Sequence, residues 1–282
     1  MRPEPRDAGS PSGDLTRPPV VAGQFYPGGP HVLAELVDRL VDAVDVPADE
    51  PLAPAYVVPH AGYRYSGPTA AFVYARLRRH APDVRRVVLL GPAHRVPLRG
   101  CAVPTARRWR TPLGEVAIDA AAGKLAADGH VAADDGPHAP EHSLEVQLPF
   151  LQRVLGDAVP VLPIAVGVSS VDEVVVTIAA VAETAGMVLL CSTDLSHYLP
   201  DAAARQQDAR TMQAVADLAP ERIGVRDACG VFALRGLVGW ARHRGLSPRV
   251  LHRCTSADTS GDPQRVVGYA ALAFDGANRE VR

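Results

Sequence analysis

Ala55-Tyr56-Val57-Val58-Pro59-His60-Ala61-Gly62-Tyr63 opens the stretch that decides the fold, and Arg86-Val87-Val88-Leu89-Leu90-Gly91-Pro92-Ala93-His94 closes it. Each is a short apolar run halted by Pro or Gly, the pattern of a buried strand that ends in a tight turn. Between them, Thr69 to Arg79 reads as a helix. Strand, helix and strand in that order predict parallel pairing through a right-handed crossover. Open α/β sheets collect ligands beyond the carboxyl ends of their strands, which is where His60 and His94 stand. A further buried strand, Met187 to Cys191, runs out into Ser192-Thr193-Asp194-Leu195-Ser196-His197 and brings a third imidazole.

The rest of the chain alternates in the same way. Leu33, Leu36, Val37, Leu40, Val41 and Val44 recur at helical spacing up to Pro47. Arg110 to Gly114 forms a turn between short extended pieces, and Ala120 to Ala127 a short helix. Ser143 to Leu155 is helical, with Pro149 as a kink or in the first turn. Val159 to Val166 is strand-like, and Ser170 with Glu173 forms a capping box opening a helix to about Thr184. Helices at Ala202 to Leu218 and Cys229 to Arg242 precede strands at Arg249 to Thr255 and Val266 to Phe274, which pair antiparallel because no helix separates them. The expectation is a single three-layer α/β domain over residues 18–282, with a mainly parallel, mixed central sheet flanked by helices. Residues 1–17, rich in Pro, Gly, Ser and charge, read as a disordered tail.

Composition removes several functions. A net charge of -2 gives no basic field for a phosphate backbone, so direct nucleic-acid binding is not expected. Lys124 is the only lysine, which argues against Schiff-base and P-loop chemistry. Cys101, Cys191, Cys229 and Cys254 lie far apart without a C-x-x-C pair, against a disulfide framework or zinc ribbon. With no secretory leader and no apolar run of membrane-spanning length, the chain reads as cytoplasmic and not membrane-bound. The dinucleotide, P-loop, nucleophile-elbow and H-E-x-x-H signatures are absent. What remains is a metal or acid–base site assembled from distant loops.

The candidates for that site are few. His60 and His94 offer two imidazoles from neighbouring strand ends. Asp194 and His197, three apart, face one way on a turn, although Asp194 also suits an N-cap. Glu141-His142-Ser143-Leu144-Glu145 places acids and an imidazole at a helix start, where capping by Ser143 is the plainer reading and outweighs catalysis for Glu145. Asp227-Ala228-Cys229-Gly230 puts a thiol before an apolar helix, where its pKa would fall and metal binding improve. The other three cysteines suit small buried hydrophobes. Tyr63, Arg64 and Tyr65 suit either partner recognition or loop packing.

Taken in order, Ala22-Gly23-Gln24-Phe25-Tyr26-Pro27, Pro59-His60-Ala61-Gly62-Tyr63 with Tyr65-Ser66-Gly67, Gly91-Pro92-Ala93-His94, Thr111-Pro112-Leu113-Gly114, Glu141-His142-Ser143-Leu144-Glu145 with Gln147-Leu148-Pro149-Phe150, and Asp194-Leu195-Ser196-His197-Tyr198 resemble the motifs of the Memo family. Its bacterial and archaeal members are called AmmeMemoRadiSam system protein B, and the resemblance runs from Pro19 to Phe274. It implies a fold similar to the class III extradiol ring-cleaving dioxygenases and an iron or copper site of two His and one Cys, falling on His60, His94 and Cys229. Asp194, His197, Glu141 and His142 would then line the pocket as acid–base or supporting groups. The chain departs from the family at Cys229-Gly230-Val231-Phe232-Ala233-Leu234, where a Cys-Gly-x-x-Pro-like turn is usual. The resemblance also implies a functional link to a radical-SAM protein. Three functions follow as expectations: a metal-dependent oxidoreductase using Fe(II) or Cu on a small molecule, a non-catalytic peptide- or protein-binding module using the same cleft, or a zinc-dependent hydrolase.

Overall fold

The computed structural model describes residues 16–182 and 184–276. The first half runs β1 (Thr16–Arg17), α1 (Pro30–Asp42), β2 (Ala55–Val58), α2 (Tyr63–Arg79), β3 (Arg86–Pro92), β4 (Cys101–Val103), β5 (Arg108–Thr111), β6 (Gly114–Ala117), α3 (Ala121–Ala127) and β7 (Ala132–Ala133). The second runs α4 (Leu148–Leu155), β8 (Val161–Val166), α5 (Val171–Ala182), β9 (Met187–Ser192), β10 (His197–Leu199), α6 (Asp201–Ala216), α7 (Val231–Arg244), β11 (Ser247–Thr255), α8 (Ala257–Ser260) and β12 (Val266–Asp275).

Every residue of β2, β8 and β9 is buried, as continuous apolar runs require when helices cover both faces of a sheet. With β3 these strands form the parallel centre, in the order β2-β9-β3-β8. Antiparallel strands flank it: β12 on β2, with β11 and β10 on β12, and β4 on β8, with β7 parallel to β4. The antiparallel pairing expected of the last two strands is present, Cys254 lying opposite Tyr269, although the single turn of α8 does lie between them. A separate small sheet joins β1, β5 and β6, and the turn expected over Arg110 to Gly114 narrows to Pro112 and Leu113 between paired Thr111 and Gly114.

Alternation along each strand feeds two helix layers. Tyr56, Val58, Leu89 and Leu190 pack towards α1, α2 and α4, through Leu33, Tyr74 and Phe150. Val57, Val88, Leu90 and Leu189 pack towards α5, α6 and α7, through Ile178, Met212 and Leu234. Contact between α5 and α7 is close enough that a Cβ on Gly236 would lie 2.1 Å from Val174 Cγ1, so only glycine fits. The capping box is formed, Ser170 donating to Glu173 while Glu173 N–H donates to Ser170 Oγ at 3.2 Å. Pro149 sits in the first turn of α4, where its missing N–H costs nothing.

Several boundaries differ from expectation: α4 begins at Leu148 in place of Ser143, and α7 at Val231 in place of Cys229. The helix expected from Thr69 begins at Tyr63 and runs through Pro68, because Tyr63, Ser66 and Gly67 are buried on its inner face. That burial, with Ser66 Oγ donating to Ala61 O at 2.7 Å, outweighs the bond that Pro68 forgoes. Of the expected tail, residues 1–15 lie outside the described residues, whereas Thr16 and Arg17 pair with Arg108 and Trp109 and belong to the domain. Among the described residues no helix is long and apolar enough to cross a membrane.

Candidate metal centre

His60, His94 and Asp194 each stand two residues beyond the last residue of a parallel strand: β2, β3 and β9 respectively. Since β9 lies between β2 and β3, the His60 and His94 loops face each other across its exit. The two rings meet with centroids 5.2 Å apart at 80°. The expectation of neighbouring strand ends is therefore corrected: one strand intervenes, and it contributes groups of its own.

His60 is buried, and its backbone N–H donates to Asp194 Oδ1 at 2.7 Å. Its Nδ1 lies 2.9 Å from Ser192 Oγ. The Ser192 hydroxyl gives its proton to Ser143 O at 2.7 Å and accepts Gln147 Nε2–H at 2.9 Å, so its remaining role towards His60 is acceptance. Nδ1 therefore carries the proton, and Nε2 presents a lone pair 3.1 Å from Cys229 Sγ. Burial, followed by the neighbouring His94 and His142, holds the His60 pKa well below the usual imidazole range, so the ring is neutral.

His94 is fixed by the same logic, with Nδ1 2.9 Å from Glu141 Oε1. Burial alone would raise the Glu141 carboxyl, but the His142 and His94 imidazoles and the Ser143 N–H pull it well below the ordinary carboxylate range. As an ionised acceptor it accepts a hydrogen bond from His94 Nδ1–H and leaves Nε2 free. His142 stacks on His94 with centroids 4.9 Å apart and meets Phe25 edge-on at 4.8 Å. Its buried Nδ1, 3.2 Å from Glu141 Oε1, makes no aligned hydrogen bond.

Cys229 precedes α7 by two residues and is stitched to the β9 exit. Its N–H donates to Asp194 O at 3.2 Å, its Sγ accepts Asp194 N–H at 3.3 Å, and Gly230 N–H donates to Thr193 Oγ1 at 2.9 Å. A Cβ on Gly230 would lie 2.9 Å from Thr193 Cβ, so the close approach needs glycine there whether or not the family proline follows. The lowered thiol pKa expected of a helix N-terminus is not found. Burial and then the Asp194 carboxylate push the Cys229 thiol up.

Asp194 is buried, its carboxyl raised by burial against the His60 N–H and the surrounding imidazoles. It accepts across strands and does not cap a helix. His197 Nδ1 lies 2.7 Å from Leu195 O, which only accepts, so its proton sits on Nδ1 and Nε2 is free. One cleft of about 640 Å³ holds His60, His94, His142, Asp194, His197 and Cys229, with Phe25, Val225, Ala228 and Val267 as apolar wall and Arg95, Arg226 and Tyr198 among its lining residues.

The donor set fits a metal. His60, His94 and Cys229 each offer a ligand atom, all within 4.8 Å of one another; His94, Glu141 and His142 form a second such group. Ligating imidazoles ordinarily have the far nitrogen tied to an acceptor, and His60 and His94 both do.

Other expectations change. Glu145 neither caps nor reaches the cleft: it is buried and accepts Arg17 Nη1 at 2.7 Å, Val21 N–H at 3.0 Å and Tyr26 Oη–H at 2.6 Å. Ser143 Oγ caps nothing and donates to Pro92 O at 2.9 Å. Tyr63 is core, its hydroxyl donating to Val146 O, which removes it from any recognition surface. Sequence reasoning missed Ser192 and Gln147, which set the His60 tautomer, and Arg17, which holds the Glu141 carbonyl.

A sequence profile described as Memo-like protein matches residues 17–273. The chain belongs to the Memo family. Three archaeal relatives, each named MEMO1 family protein, cover nearly their whole length. The chain is 36% identical to that of Methanococcoides burtonii (91% of this chain, 98% of the relative), 36% to that of Methanopyrus kandleri (92% and 99%) and 37% to that of Aeropyrum pernix (91% and 98%). Among solved structures, the uncharacterized protein JW3007 from Escherichia coli K12 is similar in fold, with a TM-score of 0.51 at 13% identity over 79% of this chain and all of that one. The Memo-family chain thus has the single α/β domain, mixed sheet and flanking helices expected from its sequence.

Proposed function

We propose that this Memo-family protein is a metal-dependent oxidoreductase acting on a small molecule, with Fe(II) or Cu held by His60, His94 and Cys229. One observation carries the reading: two imidazoles whose Nδ1 protons are already committed share a space of 4.8 Å with a thiol sulfur. Two neutral imidazoles and a thiolate suit a borderline or soft cation, which would supply an open coordination position and redox chemistry when bound. Glu141 and Ser192 orient the two rings, and Asp194 fixes the His60 main chain. His197 presents Nε2 to take a proton from a molecule in the cleft, its ring held by Leu195 O. His142, stacked on His94, contributes a second imidazole wall.

Metal analysis of the purified protein beside a His60→Ala, His94→Ala double variant tests the assignment. Stoichiometric metal in the first and its loss in the second are expected; equal content in both defeats the assignment. The same measurement separates Fe or Cu from Zn, which this donor set also accepts and which would turn the reading towards hydrolysis. Oxygen uptake with catechol-type substrates distinguishes ring cleavage from other redox roles. A cytoplasmic location is proposed from the four unpaired cysteines, and a functional link to a radical-SAM protein, resting on the family resemblance, is checked by co-purification.

A further inference from the structure

The mouth of the cleft carries charge that the fold does not use. Arg95 directly follows His94, and Arg226 precedes Cys229 by three positions. Both line the cleft, both are exposed, and neither guanidinium has an ion-pair or hydrogen-bond partner among the described residues. Asp227, next to Arg226, is engaged elsewhere, its Oδ2 accepting Gly224 N–H at 2.7 Å. Arg265 lies over the Tyr198 ring at 4.4 Å and adds a third cation beside the same rim. Arg76 and Arg249, by contrast, meet Glu50 at 2.6 and 2.8 Å, as expected of arginines with a structural task.

The two carboxylates of the cleft are buried, whereas Arg95 and Arg226 are exposed at its rim, and neither acid pairs with either guanidinium. Glu141 is occupied by His94 and by the Ser143 N–H, and Asp194 by the His60 N–H; both are buried. A protein of net charge -2 thus has a locally cationic mouth above an apolar wall of Phe25, Val225 and Val267. Guanidinium pairs carboxylate and phosphate with planar, two-pronged geometry. A volume of about 640 Å³ admits a small organic molecule.

We propose that the cleft selects a small organic anion, a carboxylate or phosphate ester on an apolar body, gripped by Arg95 and Arg226 while the body lies along the Phe25 and Val225 wall. This names the substrate class of the site proposed above and rests on that reading, since it sets the rest of the ligand towards His60, His94 and Cys229.

Benzoate, phenyl phosphate and benzyl alcohol, titrated into the whole protein at fixed ionic strength and followed by calorimetry, test it. At least one anion should bind about tenfold or more tighter than the uncharged alcohol, because a charge-assisted bond is the difference between them. The stronger anion identifies the head group. Arg95→Gln and Arg226→Gln should each weaken that anion about tenfold and leave benzyl alcohol binding, thermal midpoint and metal content unchanged. Equal binding of anion and alcohol, affinity unmoved in both variants, or no measurable binding of either anion overturns the inference. Metal content of the same purified, unchelated protein, measured beside the titration, separates the two readings. Arginine-dependent anion binding in a protein that retains no metal would defeat the metal assignment alone; metal retention with arginine-independent binding would defeat this inference alone.

Discussion

Replacing Arg17 by Met removes the cation that ties the first strand to the loop carrying Glu141. Arg17 is 6% exposed; its Nη1 lies 2.7 Å from Glu145 Oε2, its Nε donates to His138 O at 2.8 Å, and its Nη2 donates to Glu141 O. The guanidinium also sits 4.4 Å from the Trp109 ring. In Arg17→Met the Glu145 carboxylate stays fully buried without its counter-charge, a loss of the kind that costs about 3–5 kcal/mol. The Val20 and Val21 N–H groups and the Tyr26 hydroxyl still solvate that carboxylate, so the lower half of the range is expected. At roughly 2–4 °C per kcal/mol for a domain of a couple of hundred residues, the midpoint falls by about 6–16 °C. Calorimetry and urea unfolding measure it. Arg17→Met with Glu145→Gln should recover about 1 kcal/mol or more over the sum of the single variants, because no lone charge is then buried. A single variant within about 1 kcal/mol of wild type, or strict additivity of the pair, would refute the reasoning.

Gly230→Ala sets a Cβ 2.9 Å from Thr193 Cβ and 3.1 Å from Ser192 O, so the Cys229 loop must move off the β9 exit. A stability loss of about 1–3 kcal/mol and reduced metal retention are expected, and full retention would contradict the role given to that loop. Ser192→Ala deletes the acceptor that holds the His60 proton on Nδ1, and metal affinity in a chelator competition should fall about 10–100-fold. Affinity unchanged by Ser192→Ala would show that another group sets the tautomer. His138, 1% exposed, has its pKa lowered by burial to about 4. The unfolded chain, with an imidazole near 6.5, takes up the proton first, so stability is intact above about pH 6.5 and lost as pH falls towards 4. The loss amounts to about 2 kcal/mol at pH 5 relative to pH 7. His138→Gln should flatten the difference between urea unfolding at the two pH values by that amount, and an unaltered slope would assign it to other groups.

The elements legible in the sequence are those with one dominant signal. Continuous apolar runs marked β2, β3, β8 and β9, and their length and flanking Pro or Gly fixed their ends within a residue or two. The donors at strand exits were legible for the same reason, because the end of a parallel strand locates the ligand crevice. The start of α2 was not, since Pro68 is a local stop signal and only the tertiary burial of Tyr63 and Ser66 overrides it. Arg17 was hidden by composition: a charged residue in a Pro-rich segment looks solvated until Glu145, 128 positions away, is placed beside it. The raised Cys229 pKa was not legible because the helix starts at Val231, two residues after the thiol, and only the tertiary fold buries the sulfur and sets it beside the Asp194 carboxylate.

The strand order explains why the centre holds together as it does. Had β2 and β3 been neighbours, as one strand–helix–strand unit suggests, their exits would be about 4.8 Å apart and the two imidazoles would fill the space between them. Inserting β9, which arrives more than ninety residues after His94, doubles that separation and lets the rings lean inward to 5.2 Å over a third exit. That exit must then be small and polar, because it lies beneath both rings. Ser192 accepts from His60 Nδ1–H, Thr193 from the Gly230 N–H, and Asp194 from the His60 N–H while its carbonyl holds the Cys229 backbone. Side chains alternate along a strand, so a one-residue slip of β9 would turn the Ser192 hydroxyl to the opposite face and undo the His60 anchor. The parallel register pairing Val58 with Ser192 is therefore as much a requirement of this arrangement as the His60, His94 and Cys229 side chains themselves.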